Sequence, residues 1–213
     1  MIKLPFSFYI FLINYSLFRN GIKIKKIISE NELREIQRFI FDIYKTEGYI
    51  DQDFFPEQVL KDEFDKYSIY FSAFVHKKVV GAVRIIFHSP IGLQLEKFFN
   101  ISCPFHMERE KIAEISRLCV NKDYPRKSSI TFGLLKECFK ESMKRGIEYW
   151  YTVTSFNLVS KLKKFNIQFL KLPCKEPTPV QIKAREPHKG FFEKNSPEPY
   201  LISLNQIKKE FRL

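Results

Sequence analysis

The sequence predicts an α+β fold with a central mixed, mostly antiparallel twisted sheet flanked by helices. The first observation is the order of the predicted elements, which runs strand, two helices, a strand hairpin, strand, helix, strand, helix, strand. The second is the hairpin itself, in which two apolar runs of strand length, residues 68–76 and 79–87, meet at a short polar turn. This mixed order is typical of α+β domains and not of doubly wound α/β domains. The 213 residues are enough for one hydrophobic core.

The chain starts with an apolar segment, residues 1–20, and we expect residues 21–213 to form a single domain. The apolar run at 4–18 is shorter than the about 20 residues that cross a bilayer. It also lacks the small-residue cleavage site of a signal peptide. Four basic residues follow it: Arg19, Lys23, Lys25 and Lys26. The segment is therefore either a helix packed on the domain or a helix on a membrane surface, and the sequence leaves both open.

The first strand and the first helix of the domain follow directly. Residues 22–28 alternate apolar and basic side chains, which predicts a strand. Ser29 offers a helix N-cap, and Glu32 completes a capping box. Apolar residues then recur on one helical face, so the helix is predicted to run to about Lys45.

The segment between this helix and the hairpin is predicted as a loop followed by a second helix. Residues 47–55 have the composition of a loop and carry Asp51 and Asp53. Pro56 fits the first turn of a helix, which is predicted to continue towards Asp65.

The hairpin is followed by a break and then by a strand and a helix. Ser-Pro-Ile-Gly at 89–92 interrupts the second hairpin strand, and the next strand is predicted at 112–120. A polar loop at 122–126 leads to a helix at 128–145, which Gly146 ends as a C-cap.

The last predicted elements are a strand at 148–154 and a short helix at 157–165. From residue 169 onward the chain is rich in proline, and we expect short strands and loops there.

The charge favours a polyanionic partner. Lys and Arg outnumber Asp and Glu by 36 to 24, so the net charge is +12. Such a balance fits an acidic protein, an anionic membrane or nucleic acid. The sequence has no zinc-finger spacing, no helix-turn-helix signature and no RNA-recognition aromatic motif, so we expect no nucleic-acid partner.

The cysteines indicate free thiols and a cytoplasmic protein. The four of them are far apart and form neither a Cys-x-x-Cys motif nor a metal-like pairing with histidine. They are Cys103, Cys119, Cys138 and Cys174. Mostly apolar surroundings predict buried thiols in a reducing compartment and no metal site.

The predicted strand at 112–120 contains the main candidate site residues. It places Glu114, Ser116 and Arg117 in an apolar run, where a buried charge needs a partner. Either Glu114 and Arg117 form a structural ion pair, or they belong to a site. In a regular strand, residues three apart face opposite sides. A β-bulge would bring both to one face and would separate the strand from its neighbour.

Two blocks of sequence resemble known enzyme families. Glu-Ile-Ser-Arg-Leu at 114–118 looks like the Glu-x-Ser-Arg strand of the acyl-homoserine-lactone synthases and of the exosortase-associated N-acyl amino acid synthases. Val-Val-Gly-Ala-Val-Arg-Ile-Ile at 79–86, with Ser-Pro-Ile-Gly-Leu-Gln-Leu-Glu at 89–96, is similar to their strand-Arg-strand segment. The spacing between the blocks also fits, and the resemblance covers about residues 30 to 170.

The resemblance implies a GNAT-like fold, an acyl carrier protein as donor and a small-molecule amine as acceptor. It assigns catalytic positions to Glu114, Arg117 and Arg84. It also implies substrate-binding positions, which are Ser116, Asp51, Asp53 and Arg38. Two departures bear on this: neither Arg34 nor Arg38 stands in the family's register before an aromatic residue, and Gln94 replaces the usual proline.

The residues support amide formation without a nucleophilic side chain. A neutral amine attacks the thioester, and Glu114 is the best candidate to accept its proton, directly or through a water. A backbone N–H at a bulged strand stabilises the oxygen that gains negative charge. Arg84 or Arg117 is expected to pair with a carboxylate, either that of the acceptor or that of Glu114.

The sequence of the segment after this strand distinguishes between two possible acyl donors. Residues 126–132, Arg-Lys-Ser-Ser-Ile-Thr-Phe, contain no glycine to cradle a pyrophosphate at the start of the next helix. This counts against coenzyme A and favours the acyl-phosphopantetheine of a carrier protein, with no permanently bound cofactor. Lys122, Arg126 and Lys127 are the expected docking residues for an acidic carrier protein.

The leading hypothesis is therefore transfer of a fatty acyl group from acyl carrier protein to the amine of an amino acid or related small molecule. Three alternatives stay open. They are a homoserine-lactone synthase that uses S-adenosylmethionine, a coenzyme A-dependent GNAT acetyltransferase, and a non-catalytic basic binding module.

Overall fold

The computed structural model describes residues 6–101, 107–163 and 167–211. The strands in these ranges are β1 (Lys23–Lys26), β2 (Ser68–Val75), β3 (Lys78–Phe87), β4 (Asn100–Ile101), β5 (Ile112–Val120), β6 (Tyr149–Thr154), β7 (Leu170–Lys171), β8 (Cys174–Lys175) and β9 (Glu198–Ser203). The helices are α1 (Phe6–Arg19), α2 (Glu30–Thr46), α3 (Gln94–Phe98), α4 (Lys127–Lys144), α5 (Phe156–Lys163), α6 (Pro179–Arg185), α7 (Lys189–Asn195) and α8 (Leu204–Phe211). Short 3-10 turns lie at Gln52–Phe54, Asp65–Tyr67, Arg109–Lys111 and Glu186–His188.

One large sheet organises the chain. Seven strands are paired in the order β1-β2-β3-β5-β6-β9-β7, and β4 pairs separately with β8. Every neighbouring pair in the large sheet is antiparallel except β5 and β6, which run parallel. The predicted α+β class with a mostly antiparallel sheet is confirmed.

Helices cover both faces of the sheet. On one face Ile85 and Ile115 pack against Ile130 and Leu134 of α4. On the other face Ile36, Ile40 and Phe41 of α2 pack against Ala82 of β3 and Cys119 of β5. The adjacent residues Leu118 and Cys119 of β5 enter these two different cores, so the two faces of the strand have different environments.

Helix α1 packs on α4 through a close approach that a glycine permits. A Cβ atom at Gly133 would lie 2.9 Å from Leu17 of α1 and 2.5 Å from Ile24 of β1. Leu17 is buried in the core below α4. No helix within the described ranges is long and apolar enough to cross a bilayer.

The helix predicted from Pro56 towards Asp65 is wrong, because this segment is a loop that ends in the 3-10 turn Asp65–Tyr67. Its acidic side chains bind the backbone in place of a helix: Asp62 Oδ1 accepts from Phe64 N at 2.9 Å, and Asp65 Oδ2 accepts from Asp62 N at 3.1 Å. Such local bonds compete with helix formation.

The proline-rich tail contains more helix than expected. It was predicted as short strands and loops, but it forms α6 and α7 before β9. A capping box of Thr178 and Gln181, with Pro179 in the first turn, starts α6. This signal is present in the sequence and was overlooked.

Three cysteines are described, and all three are free thiols. Cys119 and Cys138 are buried as predicted, but the prediction is wrong for Cys174, which is exposed on the short strand β8, and Cys103 lies outside the described residues. Within the described ranges, no cluster of His, Cys, Asp and Glu side chains is arranged to hold a metal ion.

Candidate active site

A β-bulge in β5 creates the site. Ala82 of β3 pairs with Cys119, and Arg84 pairs with Ser116, so one extra residue stands on β5 between the two pairs. Arg117 at this position has a φ of +53°, in the left-handed region that few residues adopt. Ser116 shares the face of Glu114 by ordinary strand alternation, and the bulge brings Arg117 to that face as well.

The parallel strands β5 and β6 separate next to the bulge. Their pairing ends at Ile115 and Thr152, although β5 continues to Val120. The gap borders two cavities, one on each face of the sheet. Ile115 lines both of them. The separated strands therefore lie between a cavity lined by Glu114, Ser116 and Arg117, called the polar cavity, and a cavity on the α4 face, called the apolar cavity.

Arg84 is the centre of a buried charged network. Its side chain is 0% exposed, and all three of its nitrogens have partners. Nη1 donates to Asp62 Oδ1 and Asp65 Oδ1, both at 2.7 Å. Nε donates to Ser116 Oγ at 3.0 Å, and Nη2 donates to Gln94 Oε1 at 2.7 Å. Because this side chain is fully enclosed, Arg84 presents no surface to either cavity.

Arg117 shares the same two acids. Its Nη2 donates to Asp62 Oδ2 at 2.7 Å, and its Nη1 lies 3.2 Å from Asp65 Oδ1. Nη1 also donates to Leu60 O at 2.6 Å and to the Tyr70 hydroxyl. Two guanidiniums thus face two carboxylates, so the buried charges compensate each other.

The electrostatics keep Asp62 ionised. Burial alone would raise its pKa, but Arg117 and Arg84 overcome this and lower the pKa of Asp62 to about 2. Gln37 of α2 completes the network by donating to Asp65 Oδ2 at 2.8 Å.

Three of the four residues predicted to bind substrate lie away from this network. The structure places Asp51, Asp53 and Arg38 at the surface, and none of them lines the polar cavity. The Asp51 carboxylate accepts from Asp53 N at 3.1 Å and so caps its own 3-10 turn. The acids that reach the arginines are Asp62 and Asp65, and the residue from the first helix is Gln37 instead of Arg38. A usable signal was that two buried arginines need two acids and that this pair stands just before a hairpin strand.

Glu114 has a different environment from these acids. It is 2% exposed, and its Oε2 accepts from Leu95 N at 3.0 Å. Burial raises the pKa of Glu114 to about 8, although the backbone N–H groups of Leu95 and Gln94 oppose the shift. The expected pairing of Glu114 with Arg84 or Arg117 is absent from the contacts between described residues. A carboxyl with such a pKa exchanges a proton close to neutral pH.

The polar cavity holds Glu114, Ser116 and Arg117 on one wall and aromatic side chains on the other. The aromatic wall consists of Tyr44, Phe98, His188, Phe191 and Phe192. Burial lowers the pKa of His188 to about 4, and Arg117 adds to this effect. His188 was missed because it stands in the tail, where the sequence offered no motif.

One backbone and one side-chain hydrogen bond hold the tail over the polar cavity. Phe191 N donates to Tyr49 O at 3.0 Å, and Arg185 Nε donates to Phe98 O at 2.9 Å. A Cβ atom at Gly190 would lie 2.0 Å from Gly48 O, so glycine is needed where the tail crosses the loop after α2.

The second cavity, the apolar cavity, lies on the α4 face and encloses about 110 Å³. It is lined almost entirely by hydrocarbon and aromatic groups, including Leu118 of β5, Leu135 and Phe139 of α4, Trp150 of β6 and Ile13 of α1. This is an environment for an alkyl chain and not for a charged group.

The predicted docking residues lie at the start of α4. Lys122, Arg126 and Lys127 are exposed. Lys122 Nζ lies 3.6 Å from a carboxylate oxygen of Glu47, whereas Arg126 and Lys127 form no ion pair with any described residue.

Comparison with known proteins identifies the family. The model of the family N-acyl amino acid synthase FeeM matches residues 35–155, which is more than half of the 213 residues. No curated protein matches significantly. Several solved structures are similar over most of the chain.

A coenzyme A-dependent acyl-homoserine lactone synthase, BjaI, solved with SAM and isopentyl-CoA, has a TM-score of 0.64 at 16% identity, covering 89% of this chain and 88% of that one. The N-acyl amino acid synthase FeeM from uncultured soil microbes has a TM-score of 0.59 at 14% identity, covering 89% and 93%. A GNAT-family acetyltransferase from Staphylococcus aureus Mu50 has a TM-score of 0.52 at 17% identity, covering 85% and 99%. These likenesses establish the GNAT fold, and the family match establishes that the chain belongs to the FeeM family of N-acyl amino acid synthases and is an N-acyltransferase.

Proposed function

We propose that the chain transfers a fatty acyl group from acyl carrier protein to the amine of an amino acid or a related small molecule. The observation that carries this proposal is the gap between β5 and β6, which has an apolar cavity on one side and a polar cavity on the other, with Ile115 lining both. A thioester in the gap would place its alkyl chain among apolar side chains and its carbonyl next to Glu114.

Glu114 accepts the proton of the attacking amine in this proposal. The amine nitrogen bonds to the thioester carbon, and the carbon–sulfur bond breaks to release the thiolate of the donor. Glu114 receives the proton and returns it to that thiolate, so no other reactant is needed. A pKa of about 8 suits both steps, because the carboxyl group can both bind and release a proton near neutrality.

The two arginines act differently from each other. Arg84 is fully enclosed and bonded to Asp62 and Asp65, so it acts as a positioning residue that fixes the network behind Ser116. Arg117 lines the polar cavity and is the guanidinium that a bound acceptor meets. The aromatic wall with His188 closes the acceptor's side of the cavity.

The donor is inferred from the start of α4. Residues 126–132 contain no glycine, and Gly133 is already in close contact with Leu17 and Ile24. This segment therefore has no glycine-rich turn that would present backbone N–H groups to a pyrophosphate, which supports a carrier protein over coenzyme A. The exposed Arg126 and Lys127 suit an acidic carrier protein.

The test is a mixture of acyl carrier proteins, charged with chains of different length, and amino acids, followed by mass spectrometry of the products. We expect an N-acyl amino acid. An acyl-homoserine lactone that forms only when S-adenosylmethionine is present would contradict the acceptor, and product from acyl-coenzyme A alone would contradict the donor.

A variant of the apolar cavity tests the place of the alkyl chain. Leu118→Phe adds bulk on the β5 wall of this cavity, so we expect kcat/KM for the longest acyl donor to fall by about tenfold while short donors are less affected. The exposed Leu170→Phe is the matched control and should leave the chain-length profile unchanged. An equal loss for all chain lengths would place the alkyl chain elsewhere.

A further inference from the structure

The exposed face of α1 carries large aromatic side chains. Phe11, Tyr15 and Phe18 are spaced four and three residues apart, so they share one side of the helix. All three are exposed, and Phe18 reaches 83%. The rings of Phe11 and Tyr15 stack with their centres 6.3 Å apart, and Leu12 is exposed beside them. Such a grouping on a surface marks an interaction site.

The opposite face of α1 is firmly attached to the protein. Leu17 is buried in the core, and Ile13 lines the apolar cavity. Lys136 Nζ donates to Asn14 Oδ1 at 2.7 Å, and the hydroxyls of Ser16 and Ser129 are 3.0 Å apart. The helix therefore cannot turn its aromatic face inward without losing these contacts.

The surroundings of the aromatic face are basic. Residues 1–29 contain no Asp or Glu. Arg19 and Lys23 follow the aromatic face and are exposed, and Arg126 lies across a groove from Leu12 and Tyr15. None of these three basic side chains forms an ion pair with a described residue.

We infer that this aromatic face of α1 docks the enzyme on the surface of an anionic phospholipid bilayer. Aromatic side chains are favoured at the boundary between headgroups and acyl chains, and nearby lysine and arginine are attracted to anionic lipid. Phe11 and Phe18 project outward from a convex helix and line none of the described cavities, whereas Tyr15 also borders the groove that it shares with Arg126. This arrangement fits a bilayer, which requires no matching shape, better than it fits a folded protein partner.

The docked orientation also has a consequence for the apolar cavity. Ile13 lies on the cavity side of α1 and Phe11 and Phe18 lie on the exposed side, so only one helix separates the cavity from the bilayer. An acylated product would have a short path into lipid. This consequence rests on the proposed function, whereas the docking itself does not.

The test is flotation of the full chain with vesicles, in the absence of any substrate. We expect binding to phosphatidylglycerol vesicles, weak binding to phosphatidylcholine vesicles and release by high salt. The double variant F11S/F18S is expected to lower partitioning onto phosphatidylglycerol by about tenfold or more. The double variant R19Q/K23Q should weaken the same binding at low salt only.

A matched control separates this face from general surface hydrophobicity. Phe54 is also an exposed aromatic residue, at 50%, but it lies in a distant 3-10 turn, and F54S should bind vesicles like the unaltered chain. Equal losses for F54S and F11S/F18S would overturn the inference, as would no flotation of the unaltered chain. If F11S/F18S floats normally but binds acyl carrier protein more weakly, the face belongs to that protein and the inference is wrong. Because no acyl transfer is measured, failure here leaves the proposed function untouched.

Discussion

Glu114, which is buried, and Asp62, which is half-buried, lie on the same side of the sheet and differ in the direction of their pKa shift. Asp62 faces Arg84 and Arg117, and these two guanidiniums lower its pKa to about 2. Glu114 lies on the same strand as Arg117 but bonds only to neutral backbone N–H groups, so burial raises its pKa to about 8. In the first environment the Asp62 carboxylate stays ionised and holds the two arginines in place. In the second environment the Glu114 carboxyl group can exchange a proton near neutral pH. The difference supports Glu114 as the acid in the proposed proton transfer and Asp62 as part of the frame, the network of Arg84, Arg117, Asp62 and Asp65.

The largest expected effect comes from Glu114→Gln. It keeps the size of the side chain and removes the titrating group, so we expect kcat to fall by about 10²–10⁴-fold. The remaining kcat of the variant should also no longer increase with pH near pH 8. The measurement is kcat against pH with a saturating donor.

Glu110→Gln is the matched control, because Glu110 is 77% exposed at its side chain and should leave kcat and its pH profile unchanged. A Glu114→Gln enzyme with the unaltered pH profile would remove Glu114 from the proton transfer and would end the comparison between the two acids.

Arg84→Met tests the frame. It leaves Asp62 and Asp65 with one guanidinium instead of two, and breaking a buried ion pair in this way costs about 3–5 kcal/mol. We expect the free energy of unfolding in denaturant to fall by that amount.

The control for this variant is Arg34→Met, since Arg34 forms an exposed ion pair with Glu57 at 3.3 Å. Its loss should cost less than about 1 kcal/mol. If the two arginine variants unfold at the same denaturant concentration, the buried network is not a source of stability.

The two acids also predict opposite effects of pH on stability. The folded pKa of Glu114 lies above its ordinary value of 4.5, so the folded state holds a proton that the unfolded state has lost, and stability falls as pH rises towards 8. The folded pKa of Asp62 lies below its ordinary value of 3.8, so its contribution is present above pH 4 and is lost towards pH 2.

The stability effect of Glu114 is clearest above pH 6.5. Below that value the lowered pKa of His188 makes stability rise with pH and opposes the effect of Glu114. Between pH 6.5 and 8 the unaltered chain should lose about 2 kcal/mol relative to Glu114→Gln. Parallel curves of unfolding free energy against pH for the two proteins would contradict the raised pKa.

The sequence was informative where a residue type conflicts with its local pattern. Glu114, Ser116 and Arg117 stand in an apolar strand, and this conflict indicated either an ion pair or a site, with a β-bulge as the way to bring Glu114 and Arg117 to one face. Asp62 and Asp65 show no such conflict, because acids are common in loops, and Asp51 and Asp53 stand in an equally plausible loop. The placement of Asp62 and Asp65 depends on a contact between residues distant in sequence. Leu60 N donates to Gln37 O at 3.1 Å and thereby fixes their loop beside β3. Local pattern cannot report such a contact.

The tail shows the same limit. The helix α6 has a readable capping box, but the position of His188 in the polar cavity depends on where α6 and α7 pack against α3 and the loop after α2. The sheet, by contrast, could be predicted, because the hairpin and the apolar strands are recognised from residues that are close together in the sequence.

The smallest expected effect comes from Gln94, which connects the two environments. Its side chain accepts from Arg84 Nη2 at 2.7 Å and donates to Asp62 Oδ2 at 3.0 Å, while its backbone N–H contributes to the environment of Glu114. Gln94→Ala removes the side-chain bonds and keeps the backbone donor. The frame should therefore lose about 1 kcal/mol of stability.

The pH at which the activity of Gln94→Ala rises should stay where it is in the unaltered enzyme, even if the rate itself changes. Denaturant unfolding and a pH profile of kcat measure the two effects on one preparation. A shift of the activity profile by a full pH unit would mean that the frame tunes Glu114 directly, and that the two acids form one coupled system instead of two separate environments.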